Sequence, residues 1–376
     1  MGTVLDYLKS SGDLDFSKDP FNDVDALILS MLSYLPFKDI VPGVNDKGKI
    51  TLEETAESYF SEHPSHKEDP ENIGLTVSPS MDQELIQMLK MTSKSTRYAK
   101  IRLSHFVEKT DFPVEQQFAA ITYSLPDAQR KKVIAFRGTD RTLIGWKENF
   151  ELAYMKEVPA QESASEYLNR EISVLSGKVT VCGHSKGGNL AVYAASRLKG
   201  IKQSRLSRIV NFDGPGFNFS ILSRSSFSKC EQKVVNYVPE ESIVGVLLDT
   251  VGERNVISST AHHLFQHNPV TWGIEQSEFL SGELSETTKL FEETVEKWLA
   301  QLTLERRKAF IDALFDVLGA SEGKTIDPKE SLKDIGKVIK NVSDLDEETR
   351  KMLSDVLASI KDQALDTISK ALRKKL

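Results

Sequence analysis

The chain has 376 residues, 48 Lys and Arg against 55 Asp and Glu, and a formal net charge of −7. That length calls for one large domain with an appendage, or for two domains, and an apolar share of 39% can fill a sizeable core. The acidic balance argues against nucleic acid as the main partner, and two cysteines, Cys182 and Cys230, make neither a disulfide framework nor a zinc ligand set. The first residues lack a basic and apolar leader, Asp6 breaks the myristoylation pattern, and no apolar run is long enough to cross a bilayer, so the expected location is cytoplasmic.

Residues 1–40 open with a polar, acidic lead carrying Asp13, Asp15, Asp19, Asp23 and Asp25. It is expected to be solvated, because Pro20 and the missing glycine and closing glutamate break a calcium loop. Asn22-Asp23-Val24-Asp25 then caps a helix through Leu35 that is apolar on most of its surface and should pack on the main domain. Gly43 to Lys49 has the G-x-x-x-x-G-K spacing of a phosphate loop. Ile50 stands where a hydroxyl should ligate magnesium, so a turn at Asp46-Lys47-Gly48 is the expectation. Thr51-Leu52-Glu53-Glu54 begins a helix with an acidic first turn, and residues 61–80 read as a surface loop in which His63 and His66 are solvated. Met81 to Met91 forms an amphipathic helix.

Alternation at Ala99 to Val107 and Gln117 to Ser124, and the apolar run Lys132 to Phe136, predict strands near one edge of a sheet that lead into its centre. The last of these ends in Arg137-Gly138-Thr139-Asp140. Trp146 and Phe150 follow in a short segment expected to pack over the site, and Ala164 to Val174 forms a helix. Next comes Val179-Thr180-Val181-Cys182 as a buried strand, Gly183-His184-Ser185-Lys186-Gly187, and a helix from Gly188 to Ala195. The spacing Gly183-x-Ser185-x-Gly187 between strand and helix is that of a nucleophile elbow, whose strained turn presents the serine hydroxyl. The backbone N–H of Lys186, at the positive end of the helix, can face an oxyanion formed on a carbonyl attacked by Ser185, with the Thr139 N–H opposite it.

Further strands are predicted at Leu206 to Phe212, Lys233 to Val238 and Asn255 to Ser259. The first ends in Asp213-Gly214-Pro215-Gly216-Phe217 and the second in Pro239-Glu240-Glu241-Ser242, and His262, His263 and His267 follow the third. Strands alternating with helices imply a mostly parallel sheet, whose ligands bind beyond the C-terminal strand ends. From residue 281 the chain turns to charged helix without strands. Phe291, Val295, Trp298, Leu299 and Leu302 share a face, as do Phe310, Ile311, Leu314, Phe315 and Leu318. A last helix from Ser343 to Leu372 carries an apolar stripe expected to dock on the main domain or to pair with another copy.

Phe136-Arg137-Gly138-Thr139 with Trp146 downstream, and Gly183-His184-Ser185-x-Gly187-Gly188, resemble the α/β-hydrolase fold and in particular the class 3 lipases. Asp213-Gly214-Pro215-Gly216-Phe217 and Gln266-His267-Asn268-Pro269-x-x-Trp272 bring the chain closer still to a poorly characterised bacterial family of lipase-like proteins. The resemblance covers roughly residues 20–280. It implies a serine nucleophile at Ser185, an oxyanion hole from the residues matching Thr139 and Lys186, and a later acid and histidine that complete a triad. His267 is the favoured histidine over His262 and His263, and His184 is expected to pack under the elbow. Asp213 is the first choice of acid, with Glu241 as the alternative. The Lys186 side chain would set a cation at the mouth, favouring acidic substrates or merely solvated.

The expectation is an α/β protein: an α/β-hydrolase-type, mostly parallel sheet flanked by helices over residues 1–280, with a helical region over 281–376. Its activity would be that of a serine esterase acting on a lipid or small acyl ester through an acyl-enzyme, with no cofactor or metal implied. The alternative is a non-catalytic scaffold of the same fold that binds a partner through its C-terminal helices.

Overall fold

The computed structural model describes residues 1–68, 73–76, 78–126, 130–140, 142–308 and 311–312. Eight strands form one sheet in chain order: β1 (Ile50–Thr51), β2 (Arg102–Asp111), β3 (Gln116–Ser124), β4 (Lys132–Phe136), β5 (Val179–His184), β6 (Leu206–Phe212), β7 (Val234–Pro239) and β8 (Glu253–Ile257). Neighbours from β1 to β4 pair antiparallel and those from β4 to β8 pair parallel. This is the mostly parallel, helix-flanked sheet of the α/β-hydrolase type. A separate hairpin joins β9 (Ile274–Glu275) to β10 (Glu278–Phe279).

The helices are α1 (Val4–Ser11), α2 (Asp23–Leu32), α3 (Leu52–Glu62), α4 (Pro64–Glu68), α5 (Pro79–Thr92), α6 (Leu143–Glu151), α7 (Pro159–Glu171), α8 (Lys186–Arg197), α9 (Gly200–Arg205) and α10 (Glu286–Gln301). A strand order that never reverses has a consequence for them. Right-handed crossovers stepping always to the next strand leave their helices on one face. There α7 and α8 bury Leu168, Leu190 and Tyr193 against Val181 and Ile209. The other face must be covered from elsewhere in the chain, and α1, α2, α3 and α5 cover it, with Leu27, Ile28 and Leu89 in one cluster with Cys182 and Val210.

This cover changes the reading of the acidic lead. Residues Val4–Ser11 are helical, with Val4, Tyr7 and Leu8 buried, because these three apolar or aromatic side chains at helical spacing face the core. Asp25 is not solvated: it is fully buried, its carboxylate 2.6 Å from Arg97 Nη2, and it accepts hydrogen bonds from Tyr7 and Tyr98. Asp23 accepts from Arg208 and Tyr237, tying α2 to β6 and β7.

Smaller differences have local causes. The Gly43 to Lys49 segment does turn, but at Gly43–Asp46, where the Asp46 N–H donates to the Gly43 carbonyl, and not at the expected Asp46-Lys47-Gly48; it delivers Ile50–Thr51 as an edge strand beside β2. His63 and His66 are half-buried and stacked, ring centroids 4.9 Å apart, with His66 Nδ1 bonded to the Tyr59 hydroxyl. α7 begins at Pro159, the N1 position that suits proline, earlier than apolar periodicity alone suggests. The expected strand Asn255 to Ser259 is paired two residues earlier, over Glu253–Ile257.

Of the C-terminal region, α10 is described and packs on the sheet domain through Glu292, which pairs with Arg254 at 2.9 Å; beyond α10, Arg307 donates to the Ala153 carbonyl. The helix expected from Ser343 to Leu372, and Phe310, Leu314, Phe315 and Leu318, lie outside the described residues. Among the described residues no helix is long and apolar enough to cross a membrane.

Candidate active site

Parallel register aligns the C-terminal strand ends: Phe136 stands beside Gly183, and Phe212 beside both His184 and Tyr237. The turns after β4, β5 and β6 therefore meet at one edge, and they carry Thr139, Ser185 and Asp213. Ser185 adopts φ 57° and ψ −133°, a conformation that disfavours any side chain, and its N–H is anchored on the Phe212 carbonyl. The turn closes because its glycines leave no room for anything larger. A Cβ on Gly183 would lie 2.2 Å from the Gly187 backbone, and one on Gly187 would lie 2.1 Å from the Phe136 carbonyl oxygen.

Ser185, His267 and Asp213 come together in one line. Asp213 Oδ2 lies 2.6 Å from His267 Nδ1, and His267 Nε2 lies 3.0 Å from Ser185 Oγ. A carboxylate can only accept, so Nδ1 carries the proton and Nε2 is left to accept from the serine hydroxyl. Asp213 is fully buried, and its second oxygen accepts from Ser242 Oγ at 2.5 Å and the Gly245 N–H at 3.1 Å. His267 sits at the end of a short 3₁₀ turn, His263–His267, and its side chain is 26% exposed, so the dyad opens to solvent on one side.

The other candidates fall elsewhere. Glu241 faces His263, with its carboxylate 3.4 Å from His263 Nδ1 and accepting from the His263 N–H, while its own N–H donates to Gln266. It braces the loop before His267 instead of meeting that ring. His262 and His263 are exposed. His184 does pack under the elbow, 2% exposed.

Thr139 follows β4 half-buried, its Oγ1 accepting from Asn149 Nδ2 of α6 at 2.7 Å. Lys186 opens α8, so its N–H has no carbonyl one turn back within the helix. Its side chain corrects the expectation of a cation at the mouth. Nζ is buried, 2.8 Å from Glu148 Oε2 and in hydrogen-bond reach of the Gln117 carbonyl and Oε1. A lysine that opens a buried helix cannot leave its charge unpaired, and α6 supplies the carboxylate.

Glu148, Asn149 and Ser242 are not distinguishable in the sequence as partners of these groups. A buried lysine requires an acid within reach, but nothing in the local pattern says which. Among the described residues no cluster of histidine, cysteine or carboxylate side chains could hold a metal ion.

The Mbeg1-like family model matches residues 92–316, more than half of the chain. The chain belongs to the Mbeg1-like family. The Mbeg1-like match takes in β2 to β8, the serine elbow, Asp213, His267 and α10, and leaves α1 to α4 and nearly all of α5 outside it. Among solved structures, that of M37 lipase aligns at 16% identity and a TM-score of 0.35, over 59% of this chain and 68% of the lipase. No curated protein matches the chain.

Proposed function

We propose that this protein is a serine hydrolase that cleaves a carboxylic ester through an acyl-enzyme. The observation that carries the reading is the line from Asp213 through His267 to Ser185, with successive distances of 2.6 and 3.0 Å, on a strained elbow. Ser185 Oγ attacks the ester carbonyl as its proton passes to His267 Nε2, and Asp213 stabilises the imidazolium without taking the proton. The N–H groups of Thr139 and Lys186 face the oxyanion. The Thr139 hydroxyl, accepting from Asn149, keeps its own hydrogen free to donate there as well. Collapse breaks the bond to the alcohol oxygen, which takes the proton from His267. Water, deprotonated by the same nitrogen, then releases the acid and restores Ser185.

The hydrolase unit in this reading is residues 1–280, with 281–376 a helical appendage that docks on it or pairs between copies. The substrate is a lipid or small acyl ester. Lys186 gives no preference for acidic substrates, because Glu148 neutralises it in the interior.

Labelling of the purified protein with a fluorophosphonate probe, beside Ser185→Ala and His267→Ala, tests the reading. Stoichiometric labelling that both substitutions abolish supports it. A folded wild type that neither labels nor hydrolyses short activated esters would leave a non-catalytic scaffold of this fold.

A further inference from the structure

A second line of hydrogen bonds runs beneath the triad. Tyr34 lies just past α2 and is 3% exposed, with its hydroxyl 2.9 Å from His184 Nδ1. On the far side of that ring, His184 Nε2 is 2.8 Å from the backbone carbonyl of His267. A carbonyl only accepts, so Nε2 carries the hydrogen and Nδ1 must accept from the tyrosine. At the other end, the Tyr34 oxygen packs against Gly138 so closely that a Cβ at that glycine would lie 2.1 Å from it. Donors and acceptors thus point one way, from Tyr34, packed against the turn that carries Thr139, through the elbow, to the turn that carries His267. Such a chain polarises each member in the same sense.

The line touches none of the reacting atoms, yet it fixes two things the triad leaves loose. Asp213 and Ser185 hold the two nitrogens of His267, but the backbone beneath that ring is the end of a short 3₁₀ turn, whose last carbonyls lack helical partners. Gly138 precedes Thr139 and determines where the Thr139 N–H is aimed. Resting on the hydrolase reading above, we propose that Tyr34 and His184 are positioning residues: through the packing contact at Gly138 and the hydrogen bond to the His267 carbonyl they set the oxyanion turn and the general base in register with Ser185. Tyr34 stands outside the stretch matched by the family model, so the N-terminal segment contributes to the site itself.

The protonation state fits this role. Burial, with His267 beside it, holds the His184 imidazole well below the ordinary histidine range. A charged His184 would donate from both nitrogens, reverse the bond to Tyr34 and set a like charge against the imidazolium of His267, whose ring centroid is 4.7 Å away.

The test compares Tyr34→Phe, His184→Phe and His184→Gln in the full chain, using a short p-nitrophenyl ester, thermal melts and imidazole nitrogen NMR. Tyr34→Phe and His184→Phe should lower kcat, by about tenfold and up to about a hundredfold, while KM moves less than about twofold. In His184→Gln the amide nitrogen can take the place of Nε2 and donate to the His267 carbonyl, so it should recover most of the kcat lost in His184→Phe. A purely structural role would lower the melting temperature with kcat intact. Folded phenylalanine variants with wild-type kcat, or a glutamine variant no better than His184→Phe, would overturn the proposal. If the wild type neither labels nor hydrolyses, the hydrolase reading fails, and NMR then decides the relay by itself. An Nε2–H tautomer at His184 and shifted His267 resonances in Tyr34→Phe would uphold it, and an Nδ1–H tautomer or unmoved resonances would sink it.

Discussion

Lys186 Nζ and Glu148 Oε2 lie 2.8 Å apart with both side chains buried, joining the first residue of α8 to α6 directly behind the proposed oxyanion site. Glu148 also accepts from the N–H groups of Gln117 and Ala160, so one carboxylate gathers β3, α7 and the elbow helix. Removing one member of a buried pair strands the other charge, whereas removing both does not. Lys186→Met should therefore cost about 3–5 kcal/mol in urea unfolding. The double variant Lys186→Met with Glu148→Gln should regain more than half of that loss. Equal destabilisation in the single and double variants would refute a charge-pair role.

Asp213 and Glu241 separate in the structure, and kinetics can separate them again. Asp213→Asn keeps the shape but presents the wrong histidine tautomer, so kcat should fall by about 10⁴-fold. Glu241→Gln, which disturbs only the loop at His263, should stay within about threefold of wild type. The reverse order of effects would move the acid to Glu241.

Glu151, at the end of α6, gives a stability signature with pH. Burial, together with the Glu115 carboxyl beside it, pushes its pKa up to about 8. An unfolded glutamate releases its proton near pH 4.3, about where the group's contribution begins to fall. That contribution is complete below the unfolded value and lost as pH rises through about 8. Stability should therefore decline from pH 6 to 9 by about 1–3 kcal/mol more in wild type than in Glu151→Gln, measured by denaturant unfolding at each pH. Parallel profiles for the two proteins would rule this out.

Arg97 and Asp25 make the same kind of test far from the site. Arg97 also donates to the carbonyls of Leu14 and Asp19, so it pins the N-terminal segment as well as the carboxylate. Arg97→Met should cost about 3–5 kcal/mol, while substitution of the exposed Lys9 or Lys297 should cost less than about 0.5 kcal/mol. Comparable losses at all three positions would remove any special status from the buried pair.

What the sequence disclosed and what it withheld divide along a physical line. Elbow, strand ends and the late histidine were legible because glycine spacing, apolar runs and chain order are local or ordered signals, as at Gly183, Ser185 and Phe136. Partners brought together by folding were not. Asp25 reads as one more acid in an acidic stretch until Arg97 is placed beside it, and Lys186 reads as a surface cation until α6 folds back with Glu148. The sequence favours Asp213 over Glu241 but leaves both strand tips open, and the path of residues 240–267 turns one acid to His267 and the other to His263.

The cover of α1, α2, α3 and α5 over one sheet face also bears on how the chain is made. Gly2 bridges to Ile274, Asp23 bonds to Arg208 and Tyr237, and Cys182 sits against the Ala26 carbonyl. Contacts this distant in sequence slow folding, because the intervening chain must be closed before they form. The first helices leave the ribosome long before the surface that receives them exists. Until the strands that receive them have been made, their apolar faces have no sheet to cover, the situation in which aggregation competes with folding.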